Sequence, residues 1–138
     1  WLPNVDAVNF LVKEIWPLII KQIPSAKLHI VGFAPTPEIQ RYAHDTSITV
    51  SGDVKDIRDA YGTAHVLLAP VRSGKGTRYK TLVSNTAEGL AKHTIKLLND
   101  KQLQKTLANN GKKLVSENFD WKAISKELDR IYKELGGE

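Results

Sequence analysis

The sequence predicts an α/β fold in which a parallel sheet is flanked by helices. Three short segments have the length and composition of strands: residues 27–31, which alternate polar and apolar, and residues 48–50 and 66–69. Each of them follows a segment in which apolar residues recur with the helical period. The alternation of helix and strand through short connections is typical of a parallel sheet covered on both faces.

The composition is that of an ordinary globular protein. The 138 residues are 41% hydrophobic and 25% charged, and we expect them to form a single domain over residues 1–138. No apolar run approaches the roughly 20 residues that span a bilayer. The chain has no cysteine, which excludes disulfides and thiolate chemistry and is compatible with a cytoplasmic location. It also has no methionine, not even an initiator, so we expect a fragment of a longer protein.

The net charge of +5 favours phosphorylated or polyanionic partners, or an anionic membrane surface. The lysines are spread along the chain rather than grouped in blocks, so a solvated basic surface is the simpler interpretation. We therefore expect no nucleic-acid partner. The alternative that a cytoplasmic protein associates with the inner face of the membrane is left open.

The first helix is predicted over residues 5–20, where apolar residues recur every three or four positions. Asn4 is placed to cap it by accepting backbone N–H bonds, and Pro17 should kink or tighten its last turn. Trp16 lies on the apolar stripe of this helix. Like Trp1 and Trp121, it is therefore expected in the core rather than as a platform for stacking bases.

Turn-forming residues bound the elements that follow. Gly32 ends the first strand, and Pro35 opens a brief helix that runs through Tyr42. Residues 51–53 stop the second strand. Asp56 is placed to cap the next helix, and Gly62 to end it.

The remainder, about residues 91–135, is predicted to be a helical segment with three stretches of helical periodicity. Asp100, Ser116 and Asp120 are candidate caps of these stretches. Gly111 is expected to interrupt the middle one, because glycine weakens a helix interior.

The third strand ends at Pro70 and leads into a basic loop with two glycines. A glycine-rich turn at the carboxyl end of a parallel strand lets backbone N–H groups approach an anion while cations neutralise it, so we expect a phosphate ligand. Two glycines two positions apart are a weak motif, and a solvated basic turn fits the spacing equally well. The candidate residues are Arg72, Gly74, Lys75, Gly76, Thr77, Arg78 and Lys80.

A second candidate site is the turn at residues 52–56. A turn after a parallel strand lies where ligands bind in open sheets. On the alternative interpretation, Asp53 and Asp56 only make the turn and cap the helix. Gly32 either lines the same cleft or makes a tight turn, and Glu88 either contacts a ligand or is a solvated loop residue.

No metal or cofactor is expected. The four histidines are isolated from one another, and no carboxylate-rich cluster has the spacing of a zinc or calcium site. The sequence also lacks a Gly-x-Ser-x-Gly nucleophile elbow and a Walker loop.

Five segments of the sequence form a recognisable set: residues 3–8, 28–32, 50–56, 69–80 and 87–90. Together they resemble the C-terminal domain of retaining group-one glycosyltransferases, which consist of two Rossmann-like domains in the arrangement called GT-B. The resemblance implies that this chain binds the nucleotide sugar, a UDP- or GDP-hexose, and works with an N-terminal domain that holds most of the acceptor site. The acceptor would be a glycan, a lipid or another small molecule.

The resemblance also implies roles for individual residues. Lys80 matches a donor-binding cation of the family, and the backbone around Val54 and Lys55 would contact the nucleotide base. Arg72 and Lys75 would help to neutralise the diphosphate as it leaves. The family's upstream phosphate-binding arginine and lysine, and the first strand of its domain, would lie before Trp1.

Two departures from the family pattern weaken the catalytic case. The chain is shorter than the family after Lys80 and between Leu90 and Ala91, as though two internal segments were missing. The family's pair of glutamates would fall near Lys75 and, by straight count, at Val83, and neither can act as a carboxylate. The catalytic residues are therefore unknown, and we expect the chain alone to be inactive.

The alternative is a non-catalytic, Rossmann-like module that binds an anion or a nucleotide. A receiver-like phosphotransfer module is disfavoured, because Asp53 lacks the acidic partners that such a site needs.

Overall fold

The computed structural model describes residues 2–70 and 84–118, together with residue 125 and residues 130–134. The chain forms two compact units, Trp1–Asp100 and Lys101–Glu138, which are considered separately. The first unit contains the sheet and most of the helices. The second contains a long helix, and residues 130–134 are helical too.

The first unit opens with a long helical run. It comprises α1 (Leu2–Phe10), a π-helical turn (Leu11–Ile15) and α2 (Trp16–Gln22). In the π turn, the N–H of Trp16 donates to the carbonyl oxygen of Leu11, five positions earlier. The wider turn comes directly before Pro17, which has no N–H and whose ring crowds the preceding turn. The helix widens there and continues through Gln22, so the predicted tightening of its last turn is wrong, and the predicted kink stays a prediction. The predicted cap at Asn4 is wrong, because the helix begins at Leu2.

The sheet has two parallel strands, β1 (Leu28–Gly32) and β2 (Ile48–Gly52). Their register pairs Leu28 with Ile48 at one end and Gly32 with Gly52 at the other. The connection contains α3 (Pro37–Gln40) and a 3₁₀ turn (Arg41–His44), in agreement with the predicted brief helix. Because the strands are parallel, both glycines lie at the same edge of the sheet.

The core lies between the helical run and one face of the sheet. Ile15 and Ile19 are fully buried, and Leu28, Ile30 and Ile48 lie in the same apolar cluster. Trp16 is 5% exposed, as predicted for a core residue, and its indole N–H donates to the Ser47 hydroxyl at 2.9 Å.

The predicted third strand at residues 66–69 does not form. These residues are described and have no regular secondary structure, and the sheet of the described residues contains only β1 and β2. Leu68 and Pro70 anchor the segment, whereas Leu67 is 70% exposed. An apolar run becomes a strand only beside a partner in register, and Pro70 also lacks the N–H that a ladder needs.

The described part of the first unit also contains α4 (Ile57–Thr63) and α5 (Ala87–Asn99). Asp56 caps α4 as predicted, but Gly62 lies inside this helix rather than at its end. α5 passes through Leu90 and Ala91 without a break.

The second unit contains α6 (Lys101–Asn118). The predicted interruption at Gly111 is wrong, because α6 continues through this residue. A single exposed glycine lowers the stability of a helix without ending it. Ser116 is not a cap either, since its hydroxyl donates to the Lys113 carbonyl within α6. Asp120 and most of the third predicted helix lie outside the described residues.

Candidate functional site

Two of the predicted site residues meet at the carboxyl edge of the sheet. Gly32 and Gly52 are register partners at the ends of β1 and β2, and both are exposed. Each glycine is the last residue of its strand, and a loop begins directly after it. Of the two interpretations left open for Gly32, the structure agrees with a position beside the turn at residues 52–56, since the carboxyl ends of parallel strands share one edge.

The two loops are joined by a direct hydrogen bond. The N–H of Ala34 donates to Oδ1 of Asp53 at 3.2 Å. Both residues have left-handed backbones, with φ of 43° at Ala34 and 51° at Asp53. This conformation is uncommon outside glycine, and an aspartate tolerates it better than an alanine.

Close packing holds the same loops together. A Cβ at Gly52 would lie 2.7 Å from Cδ and 3.2 Å from Cγ of Pro35. Only glycine therefore lets the first loop approach the end of β2 this closely. A Cβ at Gly32 would meet nothing within 4 Å, so the space beside Gly32 is open.

The first loop is also tied to α3. The Thr36 hydroxyl accepts from the N–H of Ile39 at 3.4 Å and caps the helix. The side-chain amide of Gln40 donates to the Pro35 carbonyl at 3.0 Å. The backbone is thus held on the carboxyl side of Phe33 as well as by β1 on its amino side.

The second loop ends in an acidic cap. Asp56 accepts from the N–H of Arg58 at 2.9 Å and forms an ion pair with its guanidinium at 2.6 Å. The hydrogen bonds from the Arg58 side chain, and then from its N–H, lower the pKa of the Asp56 carboxyl below its ordinary value. Val54 and Lys55 lie between the two aspartates with exposed side chains. The turn-and-cap roles proposed for Asp53 and Asp56 are confirmed.

A shallow pocket of about 370 Å³ lies beside this loop and includes Lys55, Asp59 and Thr63 in its lining. His29, which also lines it, is hydrogen-bonded to the Ser51 hydroxyl at 2.8 Å. Among the described residues, no group of three or more histidine and acidic side chains is arranged to hold a metal ion.

A larger cavity of about 920 Å³ brings the first loop and the end of the 66–70 segment together. Its lining includes Gly32, Phe33 and Pro35 from the loop, and Leu67 and Pro70 from the segment. Pro70 is buried and lies directly before the basic loop in sequence. The cavity runs along β1 from Leu28 to Gly32, and Pro70, the last described residue before the basic loop, lines it.

The basic loop itself lies outside the described residues. The predicted positions concerned are Arg72, Gly74, Lys75, Gly76, Thr77, Arg78 and Lys80.

Glu88 is exposed and lies in the first turn of α5, so the expectation of a loop glutamate was wrong. The hydroxyl of Thr86 caps this helix by accepting from the N–H of Gly89 at 3.1 Å. Threonine is a preferred N-cap residue, so Thr86 was a signal for the start of a helix that the sequence interpretation missed.

Phe33 is the functional candidate that the sequence interpretation missed. It is 90% exposed in the loop after β1. Its position next to Gly32, at the end of a predicted strand, was the available signal, because residues in that place face ligands in open α/β sheets.

The first unit is thus a parallel α/β fold in which two linked loops meet at the carboxyl edge of the sheet. That edge is where ligands bind in open α/β sheets. Comparison with known families gives the specific assignment. Residues 1–133 match the family described as glycosyl transferases group 1. The chain belongs to this family, as the resemblance implied.

A curated relative is an uncharacterized glycosyltransferase of Methanocaldococcus jannaschii, which is 35% identical over 54 residues. The aligned part covers 39% of this chain and 14% of that protein, so the chain matches only a small part of its relative's length. No solved structure matches the chain significantly. In the described residues, no helix is long and apolar enough to cross a membrane.

Proposed function

We propose that this chain binds the nucleotide-diphosphate sugar donor of a glycosyltransferase at the carboxyl edge of its sheet. The observation that supports this most directly is the pairing of Gly32 with Gly52, which sets two loops side by side at that edge. Pro70, which directly precedes the basic loop in sequence, lines the same cavity as the first loop. Because the chain belongs to a family of glycosyltransferases, a sugar donor is the ligand that we assign to this edge.

The proposed chemistry requires neutralisation of a leaving diphosphate. Cations and oriented N–H groups in a cleft stabilise charge that develops as a glycosidic bond breaks. Arg72 offers a planar fork for phosphate oxygens, and Lys75 and Lys80 offer mobile charges. Gly74, Gly76 and Thr77 would contribute backbone N–H groups and a hydroxyl.

The remaining site residues would contact the nucleoside and the sugar. We assign the base to the backbone at Val54 and Lys55, beside Gly32 and Gly52. We assign a ribose or sugar hydroxyl to Glu88, whose exposed side chain is compatible with this role. No catalytic residue is assigned.

The whole enzyme would be a retaining hexosyltransferase of the GT-B arrangement, in which a UDP- or GDP-hexose is the donor. An N-terminal domain of the same protein would hold the acceptor, and this chain alone would be inactive. We place the enzyme in the cytoplasm, with contact to the inner membrane face as a variant.

The intact mass of the protein tests whether internal segments are missing from the sequence. Agreement with 15.4 kDa would reject the idea that they are missing.

Nucleotide binding tests the proposal. A ligand that binds only the folded protein raises its melting temperature, so saturating UDP or GDP should do so. Replacing Lys80 by Ala should weaken the nucleotide affinity about tenfold or more, the size expected for loss of a charged hydrogen bond. Lys112→Ala, at an exposed position in α6, is the matched control and should change nothing. Absence of any effect of either nucleotide on the wild-type protein would refute donor binding.

The second candidate function, a non-catalytic nucleotide-binding module, is favoured by Lys75 and Val83, which stand where the family's glutamates are expected. Sugar transfer by the longer protein separates the two functions. Nucleotide binding without transfer, in a protein that contains both domains, would favour the module.

A further inference from the structure

We propose that Phe33 is the platform on which the nucleobase of the donor stacks. This inference rests on the proposed function and adds a specific contact to it. Phe33 is 90% exposed, although phenylalanine is among the residue types most often buried in folded proteins.

The contacts of the loop keep the Phe33 ring exposed to solvent. On one side of Phe33, Gly32 is paired with the end of β2. On the other side, Ala34 holds a left-handed backbone, and its N–H is bonded to Asp53. Pro35 then packs against Gly52 so closely that a Cβ there would clash. With the backbone held on both sides, Phe33 cannot turn inward without breaking these contacts.

The position of the ring suits a nucleotide. Phe33 lines the same cavity as Pro70, the residue that precedes the basic loop. The cations of that loop would take the phosphates of a donor, and a nucleotide carries a flat base at its other end. Aromatic side chains accept any base by stacking on its face, whereas hydrogen bonds to the neighbouring loop at Val54 and Lys55 would discriminate between bases.

An apolar acceptor or an adjoining protein surface could also cover an exposed phenylalanine. The test therefore distinguishes stacking of a nucleobase from these two other contacts. Phe33→Leu keeps an apolar side chain of moderate size but removes the ring, and Phe33→Trp restores an aromatic face. Tyr132→Leu, which removes a 68% exposed aromatic ring from the second unit, is the control. Binding of UDP, GDP and inorganic pyrophosphate is measured by calorimetry, with circular dichroism as a check of folding.

Phe33→Leu should weaken the UDP or GDP affinity about fivefold or more, the lower end of what a stacked base contributes. It should leave pyrophosphate binding unchanged, and Phe33→Trp should retain nucleotide affinity. Tyr132→Leu should leave both unchanged. If Phe33→Leu leaves nucleotide affinity intact, or weakens pyrophosphate binding equally, the stacking role is refuted while donor binding stands. If the wild-type protein binds neither UDP nor GDP, the proposed function itself is refuted, whether or not it binds pyrophosphate.

Discussion

Asp53 accepts a hydrogen bond from the N–H of Ala34, although the two residues are 19 positions apart and follow different strands. The bond closes the space between the two loops at the carboxyl edge of the sheet. Ala34 has a left-handed φ of 43°, which costs energy for a residue with a Cβ. The bond to Asp53 is one of the contacts that offset this cost, so the proposed donor edge is ordered before any ligand arrives.

Asp53→Ala should destabilise the first unit by roughly 1–2 kcal/mol, because it removes the acceptor and forces a second alanine into the left-handed region. Asp53→Asn keeps an acceptor oxygen and tolerates that region, so its effect should stay within about 0.5 kcal/mol. Hydrogen exchange at the Ala34 amide gives the direct readout, and it should accelerate only in the alanine variant. Equal exchange in both variants would show that the bond does not hold the loop.

Gly52→Ala should destabilise the protein by about 1–3 kcal/mol, the usual cost of overpacking. The new Cβ would lie 2.7 Å from Cδ of Pro35, and the proline ring cannot rotate away. Urea unfolding measures the loss. A variant as stable as the wild type would mean that the first loop can move away from β2 at no cost.

Gly32→Ala is the matched substitution on the register partner, and it should leave stability within about 0.5 kcal/mol because its Cβ meets nothing within 4 Å. The same Cβ would stand in the open space where the donor is proposed to approach the backbone. We therefore expect an intact fold with weakened UDP or GDP binding, measured by calorimetry. Unchanged binding would remove Gly32 from the proposed site.

The sequence predicted the paired strands because period and turn residues act locally. β1 and β2 each end at a glycine, and Asp56 begins α4 through a bond to a residue only two positions away. The meeting of Gly32 and Gly52 followed from a general rule of parallel sheets. These features depend on short stretches of chain and on topology.

What the sequence did not predict depends on tertiary neighbours. The apolar run at 66–69 has the pattern of a strand, but a strand also requires a partner, which periodicity does not report. The link from Ala34 to Asp53 joins loops that are distant in sequence. Phe33 was overlooked because a lone phenylalanine is more often a core residue, and only the folded loop shows it to be 90% exposed.

Acidification should destabilise the first unit through Asp56. Its hydrogen bonds with Arg58 lower its pKa in the folded state below the ordinary value of 3.8. The stabilisation by the charged form is therefore complete above the unfolded pKa and is lost as the pH falls through the folded value. Asp56→Asn retains a capping oxygen but cannot titrate, so its stability should fall less between about pH 6 and about pH 3.

Urea unfolding at the two pH values measures this difference. Asp45, whose pKa is lowered by hydrogen bonds from the Ser47 hydroxyl and N–H, acts in the same direction and remains in both proteins. The variant should therefore lose part of the pH dependence rather than all of it. An identical pH dependence in the two proteins would show that the Asp56 pair contributes nothing measurable.

Two helical glycines should respond oppositely to alanine. At Gly111 in α6 a Cβ meets nothing within 4 Å, so Gly111→Ala should stabilise the helix by about 0.5–1 kcal/mol through its lower backbone entropy. At Gly89 in α5 a Cβ would lie 2.7 Å from Cβ of Ser84, so Gly89→Ala should destabilise despite the same gain in propensity. Hydrogen exchange, slowed in α6 by the first change and accelerated in α5 by the second, measures both. Stabilisation at both sites would mean that Ser84 moves aside at no energetic cost, so that the turn before α5 is not held by its packing against Gly89.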